Sequence, residues 1–191
     1  MSRTVVFGLK QAVIALNNLN GTWGTPIRVK GVVSASVTNR TESGEQMGDD
    51  GVYSVIGKSL AATVQLTFAD LQGFDVISVM TGNVVTTTSS NTKHMGMSAG
   101  DYYPYFSMCA QATMDDGIQL FNLWIPKMKI TSDFNYDMQN GSFIVPAFSC
   151  TAIGDEFVTR RSRPVIVLPF EYSVNNIALT IPPTNVPLVV A

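Results

Sequence analysis

Charge is what this chain has least of. Only 14% of its 191 residues are charged, against roughly a quarter in an ordinary soluble domain. With a slightly positive mean hydropathy, that scarcity fits a surface partly covered by another chain. It fits equally a large β core beneath a Ser/Thr/Asn surface. The formal net charge of −2 argues against a protein that grips nucleic-acid phosphates by electrostatics. No apolar run approaches the roughly 18 to 20 residues of a membrane span. Arg3 precedes an apolar stretch, but Lys10 and Gln11 interrupt it, so no signal peptide is expected. The Asn-X-Ser/Thr matches at Asn20, Asn39 and Asn140 carry little meaning without a signal, and Asn20-Gly21 and Asn140-Gly141 read better as turns.

Catalytic groups are equally scarce. The single histidine, His94, sits in a Thr/Lys/Met loop, where a surface role is far commoner than a ligand or base. No Gly-rich phosphate loop follows a strand, and no nucleophile elbow appears. Asp49-Asp50-Gly51 and Asp115-Asp116-Gly117 are turn sequences without the spacing of a calcium loop. Asp133 and Asp137 share a strand face with nothing to suggest a pocket. Cys109 and Cys150 both lie in apolar, strand-like runs; buried free thiols are the default reading, with a disulfide left open. No enzyme, metal or cofactor is expected.

What the chain does have is alternation. Leu60, Ala62, Val64, Leu66 and Phe68 point one way along a strand, and Ser59, Ala61, Thr63, Gln65 and Thr67 the other. One face is therefore buried, and the other is small, polar and nearly uncharged. Residues 32–41 alternate likewise, and 5–16 form a first strand ending at the Asn17–Gly21 turn. Between the two alternating strands, residues 42–58 read as a loop too long for a tight hairpin, carrying Glu42, Glu45, Asp49, Asp50 and Tyr53. A loop of that length usually serves a partner or a ligand. Residues 70–81 predict one short helix, with Asp70 as N-cap, an apolar stripe of Leu71, Phe74, Ile77 and Met80, and Gly82 as the stop.

Residues 84–98 are rich in Thr, Ser and Asn and suit a strand plus loop. Four strands then follow at 103–113, 119–125, 127–138 and 142–152, with Pro126 separating the second from the third. Tyr102, Tyr103, Tyr105 and Phe106 lack the basic interleaving of a base-stacking platform and read as core and rim. Past Asp155 the character changes. Arg160, Arg161 and Arg163 form a basic cluster, suited to a solvated face or to carboxylates across an interface. Pro182, Pro183 and Pro187 forbid a sheet interior, and Leu188 and Val189 would be wasted on solvent. An arm docked on a neighbouring subunit and a frayed tail both remain open. One β domain over 1–155 with an extension over 156–191 is the expected organisation.

This order of strand, acidic loop, alternating strand, helix ending at Thr81-Gly82 and C-terminal meander resembles the major tail tube protein of long-tailed bacteriophages. The residues carrying the resemblance are 59–82 and 116–155, notably Lys127-Met128-Lys129-Ile130 and Ala152-Ile153-Gly154-Asp155. It implies an antiparallel β-sandwich or barrel with a flanking helix, assembling as hexameric rings stacked into a tube within the virion tail, made in the host cytoplasm. It also implies a tape-measure protein in the lumen, terminator and tip proteins at the ends, and non-specific passage of DNA. By the same resemblance, the 42–58 loop reaches an adjacent subunit or ring. Ser59, Thr63, Gln65 and Thr67 would suit a lumen through which DNA slides, since basic residues there would hold the phosphates; outside solvent is the other reading of the same face, though the Lys and Glu usual on an outer strand face are missing from it. A tail terminator, a head decoration protein and a β-sandwich carbohydrate- or peptide-binding module are the alternatives. The loop is expected to order only on assembly.

Overall fold

The structure is a computed structural model describing residues 6–29, 31–48, 51–68, 74–87, 92–96, 100–115, 117–118, 120–132, 146–160, 163–167, 170–175, 179 and 181. For strand residues 6–7, 32–33, 44–48, 51–60, 159–160, 163–167 and 175 the backbone alone is described. Strands β1 (Val6–Leu16), β2 (Ile27–Val29), β3 (Val32–Gly48) and β4 (Gly51–Phe68) precede the helix α1 (Asp75–Thr81). The short pair β5 (Thr86–Thr87) and β6 (Lys93–His94) follows, then β7 (Phe106–Met114), β8 (Leu120–Ile130) and β9 (Ala147–Ala152). Strands β10 (Thr159–Arg160), β11 (Arg163–Val167) and β12 (Glu171–Asn175) complete the described elements.

The main sheet runs β2-β1-β7-β8-β9-β4-β3, every pairing antiparallel. Strand β8 forks: Met128 to Ile130 pair with β9, while Leu120 to Trp124 pair with β12. The sheet curls until β3 approaches β1 but does not close into a barrel. The expectation of a mainly antiparallel β fold with one short helix is met, and the curl is compatible with a sandwich.

Alternation explains the core. Ala62, Val64, Leu66 and Phe68 of β4 are buried against Phe148, Cys150 and Ala152 of β9 and Ala12 and Ile14 of β1. The rings of Phe68 and Phe148 pack with centroids 5.8 Å apart. Val76, Ile77 and Met80 of α1 cap this core. Each fully buried Val, Leu, Ile, Phe or Met here contributes about 1.5–3 kcal/mol by leaving water. The opposite face of β1, β7 and β8 buries a second, smaller cluster of Val13, Ala15, Cys109, Trp124, Val158 and Ile181, with Trp23 and Leu179 against it. Past Asp155 the chain therefore returns to its own sheet, through Val158, β12 and Ile181.

Three expectations are corrected. Residues 42–58 are not a loop. They are the outer halves of β3 and β4, paired from Thr41↔Ser59 to Gly48↔Gly51, with only 49 and 50 between the strands. The helix begins at Asp75, not Asp70, and its N-cap is Phe74, in the left-handed conformation at φ 75° with no side-chain cap. Asp70 and Leu71 lie outside the described residues. Gly82 does end the helix, at φ 77° with its N–H donating to the Ser78 carbonyl at 2.8 Å, as a left-handed glycine cap should. Third, Pro126 does not separate two strands. Residues 126 and 127 together face residue 107 as a bulge, and β8 runs through it; a bulge is where a strand tolerates proline. Phe134 and Tyr136, expected to continue that strand, lie outside the described residues.

Candidate functional site

The most unusual construction is the β3–β4 hairpin. Strand β4 is sandwiched between β3 and β9 only over Ala62 to Thr67. Beyond Thr41↔Ser59 the two strands pair with each other and with no other described strand. Residues 41–48 at about 3.4 Å each make an arm of about 25 Å beyond the sheet. Glu42 pairs in register with Lys58, Glu45 with Val55, and Gly48 with Gly51. Glu42 is exposed; the side chains of Glu45 and Tyr53 are not described, and Asp49 and Asp50 lie outside the described residues. The arm carries four carboxylates, Glu42, Glu45, Asp49 and Asp50, against the one cation Lys58.

At the arm's base the sheet presents an open polar face. Thr63 and Thr67 are half-buried and Gln65 is exposed. Their register neighbours are Thr38, Ser36 and Ser34 on β3 and Thr151, Ser149 and Ala147 on β9. Ser59 lies beyond a register shift between Arg40 and Thr41, in the arm. The Thr131 and Thr151 hydroxyls are hydrogen-bonded at 2.9 Å. The face as assembled is not uncharged, because β8 adds Lys127 and Lys129 and β3 adds Arg40. Both lysine Nζ atoms lie over the Tyr105 ring, 5.0 and 5.4 Å from its centroid. Two described carboxylates lie on the same side of the sheet, Asp155, which accepts from Asn17, and Glu171, opposite Trp124, but neither makes a salt bridge with Arg40, Lys127 or Lys129. The ion pair the described residues do make, Lys93 with Asp75 at 3.2 Å, lies elsewhere. Alternation in β4 alone revealed the hydroxyls; the lysines belong to another strand, and their phase in 127–130 was the available signal.

On the same side of the sheet, two polar constructions hold the strands together. Gln11 Nε2 donates to Gln111 Oε1 at 2.7 Å, and Gln111 Nε2 to Asn122 Oδ1 at 2.9 Å, an amide ladder across β1, β7 and β8. Asn17 Nδ2 donates to Asp155 Oδ2 at 2.7 Å and to the Pro126 carbonyl at 3.0 Å, while its Oδ1 accepts the Leu19 N–H at 2.8 Å. Asp155 is buried and also accepts the Phe157 N–H at 3.2 Å. This latch ties Pro126 and Asp155 to the end of β1.

Among the described residues no group of three His, Cys, Asp or Glu could hold a metal ion. His94 is exposed in β6. An apolar hollow of about 270 Å³ between Leu9, Ala35, Ala112 and Phe121 has no ionisable lining residue. Burial pushes the thiols of Cys109 and Cys150 up to about 12, and both are free. No described helix is long and apolar enough to cross a membrane. Arg160 and Arg163 face each other across β10 and β11; Arg161, Leu188 and Val189 lie outside the described residues.

No family model matches the chain, and no curated protein matches it. Among solved structures it is similar to the anti-feeding prophage cap, a tube terminating cap, with a TM-score of 0.47 and 10% identity over 93% of this chain and 97% of that one. A likeness that loose assigns neither fold nor role, and both rest on the geometry above.

Proposed function

We propose that this chain is a structural subunit of a phage-type tail, a tail tube protein that assembles with copies of itself. The observation that carries this reading is the two-stranded arm. A lone hairpin is marginally stable in water at best, and its outer edge is a row of backbone groups open to pairing. This one carries Met47, Val52, Tyr53, Val55 and Ile56 and has no third described strand beside it. A neighbouring subunit supplies what is missing. Hexameric rings, stacked into a tube with a tape-measure protein inside and terminator and tip proteins at its ends, follow from the sequence resemblance. The chain performs no chemistry in this role; it is a wall for DNA to pass.

The polar face does not suit the lumen as well as β4 alone suggested. Arg40, Lys127 and Lys129 would attract phosphates, whereas a lining past which DNA slides should not. We therefore assign that face to contact between proteins. Negative-stain microscopy of the purified chain at high concentration tests the reading. Open-ended tubes support it. Closed rings that never stack would assign a terminator role instead. Monomers under every condition would overturn self-assembly, and glycan or peptide binding without assembly would favour a binding module.

A further inference from the structure

We infer that the basic face around Tyr105 is the seat for the acidic arm of a second copy of this chain. The inference rests on the self-assembly reading above and adds to it the receiving surface. Lys127 and Lys129 converge on one ring, 5.0 and 5.4 Å from its centroid, so their charges lie within about 10 Å of each other, roughly one Debye length. Arg40 is exposed on the same face, and among the described residues none of the three makes an ion pair. The ring softens the repulsion between the lysines, and no salt bridge among the described residues relieves it. The arm has the complementary excess, four carboxylates against Lys58. Its ladder runs about 25 Å past the last residue of β4 that pairs with β9, and over that length no other described strand joins it. Rows of Ser and Thr hydroxyls flanking the lysines can accept and donate to an incoming polar ribbon. Opposite potentials of this kind set register and partner choice more than raw affinity.

The test is a charge swap in the full chain. Lys127→Glu with Lys129→Glu should raise the concentration needed for assembly about tenfold or more, with the monomer still folded by circular dichroism. Glu42→Lys with Glu45→Lys in the arm should do the same, and the chain carrying all four changes should assemble again. If the lysine reversal does not fold, Lys127→Gln with Lys129→Gln replaces it, with the same loss expected. Wild-type assembly that survives the lysine changes at the same concentration overturns this inference and leaves self-assembly standing; a wild type that never assembles removes both. Retention of a short DNA duplex by the wild type, lost in the lysine variant while assembly persists, would show that the face takes phosphates and overturn the inference.

Discussion

Removing the Asn17 side chain should cost this small sheet a large part of its stability. Asn17→Ala deletes a hydrogen bond onto the buried Asp155 carboxylate at 2.7 Å, one onto the Pro126 carbonyl at 3.0 Å, and the acceptor of the Leu19 N–H at 2.8 Å. A bond to a charged partner contributes about 1.5–3 kcal/mol and a neutral one about 1. The three together come to about 3–5 kcal/mol, out of a total that for such domains is about 5–15 kcal/mol. The Asp155 carboxylate would keep only the Phe157 N–H at 3.2 Å, and a buried charge short of partners is expensive. Urea unfolding of wild type, Asn17→Ala, Asp155→Ala and the double variant, at concentrations too low for assembly, measures it. The coupling between the two sites should be about 1.5–3 kcal/mol. A single-variant loss below about 1 kcal/mol, or a coupling near zero, would refute the claim that this latch holds the segment from Asp155 onward to β1.

Three further outcomes follow from the core. Gly82→Ala should cost about 1–3 kcal/mol in thermal unfolding, because φ is 77° and a Cβ would sit 3.1 Å from Pro104 Cδ. Phe148→Ala should cost about 3–5 kcal/mol by the same measurement, since the ring is buried against Phe68. Cys109 and Cys150 should resist alkylation in the native protein at mildly alkaline pH and react on unfolding. Their folded values are raised from 9.0 to about 12, so the stability they contribute is fully present below pH 9 and is lost as pH rises toward 12. Each thiol weakens the fold by up to about 1.4 kcal/mol per pH unit in that window.

How much of this was legible in the sequence depended on what each residue had to bury. Ala62, Val64, Leu66 and Phe68 must reach a core on every second residue, so β4 could be read directly. Gly82 was legible because only a left-handed stop explains it. The arm was not. Glu42 and Ser43 are exposed, and the polar run 42–46 shows no apolar alternation, so there was no period of two to detect. Its acidic character was plain, and its partner preference could be argued, but its strand geometry came from pairing with β4. Pro126 misled for a related reason. A proline reads as a break, yet the bulge excuses its missing N–H, and its carbonyl accepts from Asn17 and Trp23. The second apolar cluster draws Trp23, Val158 and Ile181 from segments far apart in the chain, and no local pattern joins them.

The account turns on the arm. Its register supplies a clean cut: replacing residues 43–57 with Asn-Gly closes a two-residue turn at the Glu42↔Lys58 pair. Sedimentation velocity of wild type and shortened chain, across the same concentration series, is the direct measurement. Large assemblies from the wild type and a folded, purely monomeric shortened chain are predicted. A shortened chain that assembles as readily as the wild type would contradict the account.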